Sequence, residues 1–245
     1  MIDCISIKDP ISYAEARLIQ LNYVEKRITN KIADTFFFLE HKPVITRGRG
    51  LQWTGEKKEK HMPMTQVPNG VEFSESERGG DLTYHGPGQI VIYPICKLDG
   101  SLFLKNDIHF FLRTLEIVTI KTLEKYGLNC ITKENATGVW INHEGVDKKI
   151  ASIGIAVRKW VTYHGIAINL TNDLKPFFSF SPCGFQPEVM TNLASLRKEQ
   201  NDVRENFEKN WLNELKDYFN KKSRGPLLHC YKSDPRLDHL HTRGI

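Results

Sequence analysis

Arg78-Gly79-Gly80-Asp81-Leu82-Thr83-Tyr84-His85-Gly86-Pro87-Gly88-Gln89 is the stretch from which the rest of the chain can be read. Four glycines surround an Arg, a Tyr and a His, and a strand rich in Ile, Val and Tyr follows from Gln89 to Ile95. Glycine lets backbone approach a ligand closely, and amides in such a loop can stabilise a developing oxyanion. The competing reading is a glycine-rich turn that only bends the sheet. The run is neither a Walker loop nor a dinucleotide fingerprint.

Working outward, Pro68-Asn69-Gly70 signals a turn, and the polar Gln52 to Met64 segment is expected as a mobile surface loop. Thr35 to Leu39 reads as a buried strand with three consecutive phenylalanines, and Val44 to Thr46 as a further extended piece. Ser12 and Glu15 form a capping box for a first helix whose core face is expected at Ala14, Leu18, Leu21 and Ile28.

Downstream, Asp107 can cap a helix to Tyr126 that Gly127 ends, burying Ile108, Phe111, Leu112, Leu115, Val118 and Tyr126. Val139 to Asn142, Ile150 to Arg158 and Trp160 to Leu170 are β-rich, with His143-Glu144-Gly145 as a hairpin tip. A last helix, Val203 to Phe219, places Val203, Phe207, Trp211, Leu215 and Phe219 on one face. This order predicts an α+β fold: a mixed, largely antiparallel sheet flanked by helices. One domain is expected over 1–223, with a tail of unassigned structure over 224–245.

The 245 residues are 40% hydrophobic and 26% charged, ordinary for a soluble globular chain. Cys4, Cys96, Cys130, Cys183 and Cys230 show no C-x-x-C spacing, so a reducing, cytoplasmic setting is expected and no metal or cofactor. Met1 to Pro10 lacks the apolar core of a secretory signal, and no stretch suits a membrane span. A net charge of +5 without long basic clusters argues against nucleic acid and suits an acidic protein partner.

Three further elements carry chemistry. Lys148 and Lys149 open a strand that continues Ile150-Ala151-Ser152-Ile153-Gly154, and only one of two adjacent lysines can face a site. In Tyr163-His164-Gly165-Ile166-Ala167-Ile168-Asn169-Leu170, the small Gly165 and Ala167 leave room for an acyl chain or for a helix. In Ser181-Pro182-Cys183-Gly184 a cysteine sits on a turn, where a thiol is presented more readily than in a core. A thiol attacks a carbonyl as thiolate, and a neighbouring ammonium lowers its pKa.

Together the four runs closely resemble, in order and spacing, the signature of the lipoyl(octanoyl) transferases, over roughly Phe36 to Leu196. The resemblance implies the fold of biotin and lipoate protein ligases, which is class II aminoacyl-tRNA synthetase-like. It implies an enzyme that moves octanoyl from acyl carrier protein to the lysine of lipoyl domains, those of 2-oxoacid dehydrogenase E2 subunits and the glycine-cleavage H protein. It places the nucleophile on Cys183 and the activating lysine on Lys149, which directly precedes Ile150-Ala151-Ser152. Substrate contacts fall on Arg78, Gly79, Gly80, Asp81, Leu82, Thr83, Tyr84 and His85. They also fall on Ser152, Ile153 and Gly154, and on Gly165, Ile166 and Ala167.

Departures are Ile45-Thr46-Arg47-Gly48-Arg49, where the family often has Thr-Leu-Gly-Arg, and Met190-Thr191-Asn192, where Thr or Ser is frequent. A monomer is expected. The alternatives are an ATP-dependent lipoate or biotin ligase, which needs no cysteine, and a non-catalytic module that binds acyl carrier protein or lipoyl domains.

Overall fold

The computed structural model describes residues 2–51, 66–99, 102–103, 106–180, 182, 185–197 and 203–222. Cys183 and Gly184, the Gln52 to Met64 segment and the 224–245 tail lie outside the described residues.

The strands are β1 Ile2–Ser6, β2 Asp34–Leu39, β3 Val44–Leu51, β4 Glu72–Glu75, β5 Gly80–His85, β6 Gln89–Ile95, β7 Cys130–Ile131, β8 Gly138–His143, β9 Val146–Arg158 and β10 Val161–Asn169. The helices are α1 Tyr13–Ile28, α2 Ile108–Glu124, α3 Leu193–Leu196 and α4 Val203–Lys222. A seven-stranded sheet runs β1-β2-β6-β10-β9-β8-β7. Only β1 and β2 are parallel in it; the other neighbours are antiparallel. The mixed, largely antiparallel sheet with flanking helices is the expected α+β architecture.

Alternation along β2 sends its three phenylalanines to opposite faces. Phe36 and Phe38 join α2 and α4 through Phe111, Leu115, Phe207 and Trp211. Phe37 joins α1 through Ala16 and Val24. All five residues expected on the inner face of α4 are buried. Asp107 caps α2, accepting a hydrogen bond from the Phe110 amide at 2.9 Å.

Two expectations are corrected, and one strand is added. The capping box of α1 is present, but its buried face is Tyr13, Ala16, Gln20, Val24 and Arg27, and Leu18 is 67% exposed. Hydrogen bonds set this phase in place of apolarity: Arg27 Nε donates to Asp34 Oδ1 at 2.7 Å, and the His164 amide donates to Gln20 Oε1 at 2.6 Å. Next, the stretch Arg78 to Gln89 is only partly loop, because Gly80–His85 is β5. It pairs with β3 in a second sheet, β4-β3-β5, which the sequence did not reveal. Finally, Ile2–Ser6 is an edge strand.

Both turns read from sequence are present. The Val71 amide donates to the Pro68 carbonyl, and Glu144 and Gly145 take positive φ at the β8–β9 tip. Among the described residues, no helix is long and apolar enough to cross a membrane.

Candidate active site

A narrow pocket open to solvent lies between the two sheets. The large sheet contributes Val91 and Tyr93 from β6, Ser152, Ile153 and Gly154 from β9, and His164 to Ala167 from β10. The small sheet contributes Thr83 and His85, with Arg78 just before β5, and α1 contributes Tyr13. One side is therefore small or aliphatic and the other polar, a lining suited to an apolar chain with a polar end.

Alternation along β5 divides the expected contact residues. Thr83 and His85 face the pocket, while Leu82 and Tyr84 pack with Ile45, Phe177 and Met190 in a separate cluster. Gly79, Gly80 and Asp81 are not among the lining residues. The Gly79 amide donates to the Ile155 carbonyl at 2.9 Å and the Gly88 amide to Glu40 at 2.9 Å, so neither is open to an oxyanion. The close dock on β9 explains Gly154: a Cβ there would stand 2.8 Å from the Gly79 carbonyl oxygen.

Arg78 is 6% exposed and binds backbone more than solvent. It donates to the carbonyls of Thr46 at 2.7 Å, Asp81 at 2.6 Å and Gly79 at 3.0 Å. These bonds tie β3 to β5 and leave a fixed cation beside the pocket.

That cation acts on His85 and His164, and a third histidine, His41, packs against His85; His41 and His164 were not singled out from sequence. Burial, then neighbouring His41, push His85 well below the usual imidazole range. Its Nδ1 lies 2.7 Å from Gln89 Oε1. Gln89 Nε2 donates to the Tyr84 carbonyl and to Asn169 Oδ1, which fixes the amide and puts the proton on His85 Nδ1. Nε2 of His85 is thus an acceptor. Burial lowers His41 to about 4; its Nε2 accepts from the Tyr93 hydroxyl at 2.7 Å.

Burial also lowers His164, opposed by Glu77. His164 sits at φ 56, a left-handed conformation that is costly for a non-glycine strand residue. The twist turns its amide out of the ladder toward Gln20 on α1. Its Nε2 lies 3.5 Å from Glu77 Oε2 without hydrogen-bond alignment, and Gln20 Nε2 also lacks a bonded partner among the described residues. His164 and then Arg17 hold the Glu77 carboxyl well below the carboxylate range. Tyr13 donates to Ser76 Oγ at 2.6 Å and stacks near both His85 and His164.

The positive φ at His164 comes before Gly165, where a Cβ would stand 2.1 Å from the Ile92 carbonyl oxygen. Glycine there allows β10 to close on β6 opposite Pro94. The His-Gly pair was the available signal for His164. Tyr13, His41 and Tyr93 come from three separate elements, and only the fold assembles them.

The two adjacent lysines separate as strand geometry requires. Lys148 Nζ donates to the exposed Glu188 carbonyl at 2.7 Å. Lys149 is 4% exposed, and its carbonyl accepts the Thr191 amide at 3.0 Å. Its Nζ lies 5.1 Å from the Trp140 ring centre and 5.5 Å from that of Phe185. Lys149 does not itself line the pocket, but Ser152 follows three residues along the same strand. Phe185 donates its amide to the Pro182 carbonyl at 3.1 Å. Cys96 and Cys130 are buried, and desolvation raises both thiols, Cys130 to about 12, so neither is a nucleophile.

A family profile described as the lipoyl protein ligase A/B catalytic domain matches residues 12–216. An octanoyltransferase of Orientia tsutsugamushi (strain Ikeda) is 35% identical over 203 residues, covering 83% of this chain and 93% of its own. An octanoyltransferase of Thermosynechococcus vestitus is 40% identical over 202 residues, covering 80% and 83%. In fold alone, the bi-partite lipoate protein ligase of Thermoplasma acidophilum matches with a TM-score of 0.60 at 15% identity, over 94% of this chain and 86% of that one. These relationships mean that the chain belongs to the lipoyl(octanoyl) transferase family of lipoyl protein ligase A/B catalytic domains.

Proposed function

We propose that this protein is an octanoyltransferase of lipoate biosynthesis, working through a thioester on Cys183. The donor is octanoyl-acyl carrier protein. The acceptors are the lysines of lipoyl domains, those of 2-oxoacid dehydrogenase E2 subunits and the glycine-cleavage H protein. The Cys183 thiolate attacks the thioester carbonyl, and the Lys149 ammonium gives its proton to the departing carrier sulfur, which leaves as a thiol and leaves the lysine neutral. The acceptor amine then attacks the Cys183 thioester, forms the amide and expels the thiolate, while Lys149 takes the proton lost by the amine.

The observation that carries this reading is the burial of Lys149 against Phe185, two residues along the chain from Cys183. Two residues of chain reach at most about 7 Å, a span that supports pairing this cysteine with this lysine. The apolar strip from Val91, Ile153, Ile166 and Ala167 suits an octanoyl chain, and the Arg78, Thr83 and His85 side suits its polar end. We retain Gly79, Gly80, Asp81, Leu82 and Tyr84 as residues that shape this wall from behind. Naming of the relatives as octanoyltransferases supports the reaction. A monomer in a reducing cytoplasm fits the buried thiols of Cys96 and Cys130.

The test mixes the chain with octanoyl-loaded acyl carrier protein and a lipoyl domain, without ATP, and follows the lipoyl domain by mass spectrometry. Octanoylation is expected for the wild type. Cys183→Ala should abolish it, and Lys149→Met should slow it by roughly 10²–10⁴-fold. Modification that requires free acid and ATP would make the protein a ligase. Binding of either partner without any transfer would make it a docking module.

A further inference from the structure

We propose that the Arg17–Glu77 ion pair, acting through the His164 ring, is the end stop of the pocket and limits the length of the acyl chain it accepts. This deepens the octanoyltransferase reading and rests on it.

Burial sets the mouth and the closed end. On β9, Ser152, Ile153 and Gly154 are half-buried, whereas Tyr13, Tyr93 and His164 are buried. The pocket therefore opens beside β9 and closes on three rings. His164 joins them: its ring lies parallel to that of Tyr13 with centres 6.3 Å apart, and edge-on to Tyr93 at 6.1 Å. Neighbouring residues of a regular strand point to opposite faces. The Tyr163 and His164 rings nevertheless lie 4.8 Å apart, because φ 56 at His164 turns its side chain toward the Tyr163 face.

The three rings differ in what stands behind them. Tyr93 bonds to fully buried His41 at 2.7 Å, and Tyr13 to buried Ser76 at 2.6 Å. Behind His164 stands the ion pair. Glu77 Oε2 lies 3.5 Å from His164 Nε2, and Arg17 Nε donates to both Glu77 carboxylate oxygens, at 3.0 and 3.1 Å. Side-chain exposure rises along this line from 2% at His164 through 23% at Glu77 to 38% at Arg17. The closed end is thus thinnest here, one ion pair away from solvent. Arg17 follows Tyr13 by about one helical turn, so α1 supplies both a ring and the outer member of the stop.

A chain longer than the pocket must push the His164 ring outward. The ring cannot swing while Glu77 fills the space behind it, and Arg17 clamps Glu77 through both oxygens. The backbone cannot retreat either, since the His164 amide is held by Gln20 Oε1 at 2.6 Å. Further methylenes would then meet a desolvated imidazole and a carboxylate, where burial brings no gain.

The test measures kcat/KM for transfer to a lipoyl domain from acyl carrier protein loaded with saturated chains from hexanoyl to tetradecanoyl. The wild type is expected to peak at octanoyl. Arg17→Ala and Glu77→Ala should raise the dodecanoyl-to-octanoyl ratio by roughly 10–100-fold, given about fourfold for each additional buried methylene. His164→Gly should shift the ratio at least as far, and glycine tolerates the positive φ and keeps the amide bond to Gln20. A merely structural role for the pair would lower transfer of every chain alike and leave the ratio where it was. An unchanged ratio in these variants, with circular dichroism showing them folded, would overturn the end stop alone; Arg17→Ala, at a partly exposed side chain, is the one that disturbs the fold least. A wild type that transfers dodecanoyl as well as octanoyl would overturn it too. A wild type that transfers no chain of any length would overturn the octanoyltransferase reading, and this inference with it.

Discussion

The two faces of the seven-stranded sheet are covered by helices of opposite character. Under α2 and α4 the contact is mainly apolar, with Phe36, Phe38, Phe207 and Trp211 fully buried, and the few buried polar groups, Glu116 and Glu208 among them, are bonded within it. Under α1 the helix buries Tyr13, Gln20 and Arg27 beside Ala16 and Val24. Each of these side chains reaches a specific partner, Ser76, the His164 amide or Asp34, although Gln20 Nε2 has none among the described residues. The first face supplies stability through burial. The second spends backbone strain at His164 and three desolvated histidines to build a pocket wall.

Breaking the apolar face should give the largest effect on stability. Trp211→Ala removes a buried ring packed between Phe36 and Phe38 and the indole bond to Thr119. Urea unfolding should show a loss of about 3–5 kcal/mol, with activity per folded molecule little changed.

Next comes acid. The unfolded chain takes up protons on His41 near pH 6.5, whereas burial holds the native ring neutral down to about 4. The unfolded state thus binds more protons in that window, so stability is full above about pH 6.5 and falls as pH drops. His41 alone contributes on the order of 3 kcal/mol of loss by pH 4. Unfolding free energies measured from pH 7 to 4 should show the slope, and His41→Asn should make it shallower, leaving the part due to His85 and His164.

A smaller effect sharpens the comparison on α1. Gln20→Leu leaves the His164 amide without its acceptor. It should cost about 1–3 kcal/mol in thermal unfolding and should reduce octanoyl transfer more than Trp211→Ala does per folded molecule. The smallest effect is at Leu18. Its exposure makes Leu18→Lys neutral to within about 0.5 kcal/mol, whereas a core leucine would not tolerate lysine.

The same contrast explains what the sequence made legible. The periods of α2 and α4 were readable because apolar residues dominate their inner faces, although α2 also buries Thr114, Glu116, Thr119 and Thr122 and leaves Ile108 and Tyr126 half-buried. The phase of α1 was not, because its inner face was chosen by partners on β2, β10 and the Ser76 turn. Thr83 and His85 were found with the glycine-rich run, but β5 within it was hidden: Gly79 and Gly80 outweighed the alternation from Leu82 to His85. The small sheet depends on the pairing of β3 with β5, across a long sequence gap. His41, Tyr93 and Tyr13 carry no local motif, and their meeting is a property of the folded sheet. Lys149 and Trp140 also face each other only because of the bulge at Ile150.

The most direct test of the account is the intact mass of the protein after brief mixing with octanoyl-loaded acyl carrier protein and no acceptor. A single octanoyl adduct on Cys183 is predicted, labile to hydroxylamine and absent in Cys183→Ala. No adduct on the wild type, or an adduct that persists at another residue in Cys183→Ala, would contradict it.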